Sequence, residues 1–345
     1  DAMAVGESEN IAIGTSALGA MDEGTAGGDI DGNIAIGHAS LVGGDLAGND
    51  RQVQDNIAIG RNSLNSTSDN AQTGTIAIGK NTLTALTSGS ANTAIGHEAG
   101  KSMTDNVSNT IIGYQAFENA DSGEDNNTVI GVLAGRNINS ATADNNVLIG
   151  YSAGLGGAGQ IKNSIAIGNY ALDNTGTADV LGVVAIGHYA GSSANHAQVE
   201  GGTFVGYEAG KSLGSAGHTT AIGYQALTTV SANGYNTAVG SGALKLATGG
   251  FNTAVGAGAG DEITTGSQNV FIGNKAGESS SDTSNTIAIG NEAGRDGDLG
   301  DYTIIMGVYA GLNSTGASNV LLGYKAGFSI GSSTTSVIIG AEAGS

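Results

Sequence analysis

The chain contains no proline, no cysteine and no tryptophan. Without cysteine there is no disulfide framework, no thiolate nucleophile and no thiolate metal site. Aromatic residues make up 4% of the chain and charged residues 12%. Basic residues are scarcest: 11 Lys and Arg stand against 31 Asp and Glu, for a net charge of −20. A surface so poor in cations cannot neutralise a run of phosphates, which argues against nucleic-acid binding. An anionic membrane surface is equally unattractive. No apolar run approaches the ~18 residues of a membrane span, and no signal peptide is recognisable. The sequence starts at Asp1 and reads as a piece of a longer or processed polypeptide.

What the chain has is glycine, 61 of 345 residues, and regularly placed aliphatics. With 39% hydrophobic residues recurring at fixed positions it is expected to fold, since disorder needs few aliphatics and dense charge. The phrase Asn-Thr-Ala-Ile-Gly-x-x-Ala-Gly recurs along the whole length. Each unit can be anchored on the glycine that follows its aliphatic run, starting at Gly6, Gly14, Gly37, Gly60 and Gly79. The series continues at Gly96, Gly113, Gly131, Gly150, Gly168, Gly187, Gly206, Gly223, Gly240, Gly256, Gly273 and Gly290, and closes at Gly307, Gly323 and Gly340. Residues 61–345 read as regular units of roughly 16 to 19 residues and 1–60 as irregular ones with longer loops, all within one continuous repeat domain.

The residue before the anchor is always a large aliphatic, and the residue two before is most often Ala. Three before is Ile, Val or Thr in every unit but the first, and three after is Ala in most units. Each unit therefore reads as a β-strand, a glycine turn, a second short strand and a polar loop. A unit this short cannot bury a core alone, but stacked copies can. The fold expected is an all-β parallel β-solenoid of about 20 coils.

Side chains alternate across a strand. Assigning the large aliphatics to the interior makes Ile95, Ile112, Ile130, Ile149, Ile167, Ile186, Ile222, Val239, Val255, Ile272 and Ile289 the coil core. The residues two before the anchor then point outward. Ala94, Ala166, Ala185, Ala221, Ala238, Ala254 and Ala288 become an apolar strip expected to lie at a subunit interface. On this assignment Ala238→Asp breaks chain association and Ile222→Asp unfolds a coil.

Two stretches carry a family resemblance: His218-Thr219-Thr220-Ala221-Ile222-Gly223-Tyr224-Gln225-Ala226-Leu227 and Asn236-Thr237-Ala238-Val239-Gly240. They resemble the YadA-like head repeats of trimeric autotransporter adhesins, and similar repeats occur in bacteriophage tail fibres. The resemblance covers essentially the whole chain. It implies a left-handed parallel β-roll built as a homotrimer, and a role as an extracellular, virion or cell-surface fibre or adhesin. The adhesin repeat is shorter, so bigger outer loops are expected here. No neck, coiled-coil stalk or membrane-anchor barrel is visible in the sequence, and the longer repeat favours a tail-fibre-like shaft over an adhesin head.

Candidate chemistry is sparse. Gly154-Leu155-Gly156-Gly157-Ala158-Gly159 matches a dinucleotide-binding pattern, but a strand, not a helix, is expected next. His38, His97 and His188 directly follow anchor glycines, as do Tyr114, Tyr151, Tyr207, Tyr224 and Tyr324, while His196 and His218 fall in loops. This reads as a surface row, with a role in stiffening the stack or in contacting a surface glycan. Acidic loops at Asp29-Ile30-Asp31-Gly32, Asp121 to Asp125 and Asp296-Gly297-Asp298 make calcium the one ion to consider, though none matches an EF-hand. Glu98 with Lys101, Glu208 with Lys211 and Glu292 with Arg295 recur at equal offsets as surface pairs. No catalytic constellation stands out, so the expectation is a non-enzymatic structural fibre without cofactor. Its partners are copies of itself and, through outer loops, a host-cell glycan or protein. An ice-binding solenoid, resting on the threonines three before the anchor, is the remaining alternative.

Overall fold

A computed structural model describes residues 9–19, 29–43, 52–67, 70–157, 159–177, 179–193, 199–214, 217–230 and 234–344. Among them there is no α-helix: the regular elements are three-residue strands, one before each anchor glycine, and a few two-residue strands. The chain divides into two compact units, Asp1–Asp179 and Val180–Ser345. In the first, parallel strands stack from Ile11–Ile13 to Ile165–Ile167. In the second they stack from Val184–Ile186 to Val337–Ile339. Each unit is a parallel β-solenoid.

The register is that of the sequence repeat. Thr220, Ala221 and Ile222 pair with Thr237, Ala238 and Val239, which pair in turn with Thr253, Ala254 and Val255. Equivalent positions therefore form columns. The segment just after the anchor, expected as a second strand, is a turn instead; two-residue strands pair elsewhere in some rungs, Val53–Gln54 with Gln72–Thr73 and Val180–Leu181 with Val199–Glu200.

The anchors turn the chain. From Gly14 to Gly340 their φ angles lie between 127° and 143°, a region that L side chains rarely adopt. They also stack: a Cβ added at Gly37 would lie 2.6 Å from the carbonyl oxygen of Gly60. Within each unit, successive anchors are linked by a bond from the anchor N–H to the carbonyl before the preceding anchor, as from Gly113 to Ile95 at 2.8 Å. Gly6 lies outside the described residues.

The structure reverses the faces of the strand. Ala94, Ala166, Ala185, Ala221, Ala238, Ala254 and Ala288 are all fully buried within a single chain. They line the coil interior and are not available as a subunit interface. The residues assigned to the core lie on the outer face. Ile95, Ile112, Ile186, Ile222, Val255 and Ile272 are exposed, and Ile130, Ile149, Ile167, Val239 and Ile289 are partly so. The reason is space. The interior must also hold the Ala three after the anchor, such as Ala226 and Ala243, and the residue after it, such as Leu227 and Leu244. A large aliphatic facing inward on every rung would overfill it.

The interior is filled by complementary sizes. In several rungs the residue two before the anchor is small (Ala58, Ala77, Ala166, Ala221, Ala238) and the residue four after the anchor is Leu64, Leu83, Leu172, Leu227 or Leu244, whereas Ala94, Ala185, Ala254 and Ala288 face Gly100, Gly191, Gly260 and Gly294. Where the inward residue is large (Val129, Leu148, Phe204, Phe271, Leu321), the partner is Gly135, Gly154, Gly210, Gly277 or Gly327, with Ile111 and Phe117 as a rung that holds two large side chains. A Cβ at Gly277 would lie 2.5 Å from the Phe271 ring, and one at Gly154 2.6 Å from Leu148. All of these large side chains are fully buried.

A buried amide column runs beside the aliphatic one. Asn109, Asn127 and Asn146 are each four before an anchor and about 1% exposed. Asn127 N–H donates to Asn109 Oδ1 at 2.9 Å, and Asn146 N–H donates to Asn127 Oδ1 at 2.9 Å. The Asn127 Nδ2 donates to the Ala143 carbonyl at 3.0 Å. The second unit repeats this from Asn236 through Asn252 and Asn269 to Thr286. These amides tie strand to loop inside the coil. Asn127→Leu leaves a buried N–H and a buried carbonyl without partners, so it is expected to cost about 2–4 kcal/mol. In chemical denaturation its midpoint should fall clearly, while Asn119→Ala, at an exposed position, should not move it.

Candidate ligand-facing surface

Just past several of the anchors the chain presents exposed aromatics that stack from rung to rung. His97 stacks on Tyr114 with ring centroids 5.3 Å apart and planes within 10°. In the second unit His188 stacks on Tyr207 at 5.5 Å, and Tyr207 on Tyr224 at 5.3 Å. Tyr151 meets Tyr170, and Tyr324 meets Tyr309, edge to face. The geometry follows from the fold: the spacing of parallel strands, ~4.8 Å, is near the distance at which aromatic rings stack. Tyr114, Tyr151, Tyr207, Tyr224 and Tyr324 are all exposed. His38 also follows its anchor, and His196 lies outside the described residues. A second stack, His218 on Tyr235 on Phe251, sits in the loops five before the anchors.

Charged residues flank the first row. Gln115 donates to Glu98 at 2.8 Å, Lys101 lies 3.3 Å from the same carboxylate and Asn81 also donates to it. Together, the Gln115 bond foremost, they lower the Glu98 pKa to about 2. Glu208 is depressed in the same way, by Lys211 at 2.7 Å and Gln225 at 2.8 Å. Arg295 pairs with both Glu292 and Asp296. Burial acts in the opposite direction on Asp173, whose carboxyl is pushed up to about 6, and it also raises Asp261 and Glu124. Glu124 keeps partners, accepting from Asn106 at 2.7 Å and from the Ser140 N–H at 2.9 Å.

The acidic loops considered for calcium are spent on neighbouring rungs. Asp125 accepts the Val107 N–H at 2.7 Å and Asp298 the Ser281 N–H at 2.9 Å, while Gln54 donates to Asp29. Among the described residues no group of three or more His, Asp or Glu side chains converges as a metal site requires. An open cleft of about 760 Å³ borders Ser102, Asn119, Asp121, Asn137, Asn139 and Gly157; Asp121 is the sole charged residue of that lining. After the glycine-rich stretch beginning at Gly154 come the strands Ile161–Lys162 and Ile165–Ile167, so no helix terminus is present to receive a phosphate.

Two features of this surface escaped the sequence reading: the Asn column beneath it, and the outward Ile and Val row beside it. The regular Asn of the repeat phrase was the available signal for the first. The paired sizes two before and four after the anchor were the signal for the second. No helix among the described residues is long and apolar enough to cross a membrane. No family model and no curated protein matches the chain.

Proposed function

We propose that the chain is a non-catalytic shaft segment of an extracellular or virion fibre, in which three identical chains associate through the outer aliphatic face. The observation that carries this is the exposed row itself. Ile186, Ile222, Val255, Ile272 and Met306 are each between 37% and 43% exposed along one unit of a chain whose net charge is −20. A continuous apolar strip of this kind marks an interaction surface on a soluble protein. A regular face repeated rung after rung fits an identical face better than an irregular partner, and cyclic homo-oligomers are the common closed solution. The number three rests on the resemblance to head repeats of trimeric adhesins and tail fibres. The acidic remainder of the surface keeps such filaments apart in solution. An adhesin head is the nearest alternative within this reading, with the aromatic row and outer loops meeting a host surface.

Sedimentation equilibrium tests the assembly. The expected mass is three times the 33.6 kDa of one chain. A mass of one chain at every concentration would remove the proposal. A second reading uses the same face. Thr203, Thr220, Thr237 and Thr253 form a half-buried row beside the aliphatics, the arrangement an ice-binding surface would need. A single-chain mass together with thermal hysteresis would favour it.

A further inference from the structure

The stacked aromatic column of the second unit stops at Tyr224. One face of its ring lies against Tyr207. On the other side the equivalent positions are Ser241 and Ala257, too small to cover it, and each is followed by a glycine, Gly242 and Gly258. Two successive rungs thus lack the side chains that their neighbours present. The result is a notch of about 340 Å³ walled by Tyr224 at one end and Asn274 and Lys275 at the other. Its size is near the lower end for small-molecule sites, which are typically about 300–1,000 Å³.

The notch carries a polar group without a partner. Asp261 borders it, and its Oδ1 is buried without a hydrogen bond. A carboxylate oxygen left unsatisfied in this way is costly unless something donates to it. Burial also raises the Asp261 pKa. Lys245 lines the same space, and Lys275 pairs with Glu278 at 3.0 Å. The charged groups around the notch, two lysines, one aspartate and one glutamate, therefore balance.

We infer that this notch is a binding site for a neutral saccharide, with a pyranose ring lying on the free face of Tyr224 and its hydroxyls donating to Asp261. The ligand must have a flat apolar face to meet the ring and several O–H donors to meet the carboxylate. A sugar combines both within one small rigid body. The balanced local charge selects against anionic and cationic ligands, and the net charge of −20 repels polyanions. The site lies within one chain and one unit, so it does not depend on how many chains associate.

Saturation-transfer NMR with methyl glycosides of glucose, galactose, mannose and N-acetylglucosamine tests it, with adenosine monophosphate as the charged aromatic control. At least one glycoside should receive saturation, strongest on one ring face. Tyr224→Ala should weaken binding about fivefold or more, and Tyr224→Phe should leave it nearly unchanged. Asp261→Ala should weaken it about tenfold or more. Ser241→Tyr is the decisive variant. The same column already holds Tyr207 and Tyr224, so a third tyrosine extends the stack and covers the free face without disturbing either proposed contact residue. Loss of binding in Ser241→Tyr, with an unchanged circular dichroism spectrum and sedimentation mass, supports the site. Absence of saturation for every glycoside overturns it, as does preference for adenosine monophosphate or full binding by Ser241→Tyr.

Discussion

An aspartate at Ala238 is expected to unfold the surrounding coils, while an aspartate at Ile222 should leave them folded and separate the chains. Ala238 is fully buried between Ala221 below and Ala254 above, in register with both. A carboxylate there has no cation to meet. Leaving a charge uncompensated in such a place costs about 3–5 kcal/mol, and the added volume has nowhere to go. Ile222 lies one strand earlier and is 39% exposed. Aspartate at that point keeps its water and loses mainly strand preference, about 1 kcal/mol. Yet it would set a charge in the middle of the proposed contact between chains, where an unpaired desolvated charge is again strongly unfavourable. Far-UV circular dichroism on heating and sedimentation mass separate the two effects. A stable, fully associated Ala238→Asp protein would refute the interior assignment, and a fully associated Ile222→Asp protein would refute the interface.

This pair of outcomes is the reverse of the one the strand pattern alone suggests. The reason explains what was legible. The repeat phrase identifies the strand, the turn and the in-register columns, because parallel stacking follows directly from identical short units that cannot bury a core alone. Alternation along Thr-Ala-Ile separates two faces but says nothing of which is inside. Choosing by hydrophobicity puts Ile222 in and Ala221 out. The coil overrides that choice, since its narrow interior admits the small column and fills its gaps with Leu227 and Leu244. The anticorrelated sizes of Phe204 with Gly210 and Ala221 with Leu227 encode the correct answer, across residues six apart rather than between neighbours. The aromatic row was visible as a row. The notch at its end was not, because Ser241-Gly242 and Ala257-Gly258 form a gap only once the register sets both rungs beside Tyr224.

Size pairing inside the coil makes a further test with a large signal. Phe204 is fully buried, and a Cβ on Gly210 would fall on its ring. Phe204→Ala should therefore cost about 3–5 kcal/mol through lost burial and the cavity left behind. Gly210→Leu alone should also destabilise, because the new side chain has no space while the ring is present. Combined, the two changes convert this rung into the Ala-and-Leu type of the two rungs that follow it, Ala221 with Leu227 and Ala238 with Leu244. The backbone is prepared for it: Gly210 has a φ of 58°, and Leu227 and Leu244 occupy the same column at 50° and 48°. The double variant should accordingly be more stable than Phe204→Ala and more stable than the sum of the two single losses, a coupling of about 1–3 kcal/mol in a double-mutant cycle. Additive losses would mean that the two positions do not share one interior space. The assignment of inner and outer faces, and with it the exposed aliphatic row proposed to join the chains, would then lose its physical basis.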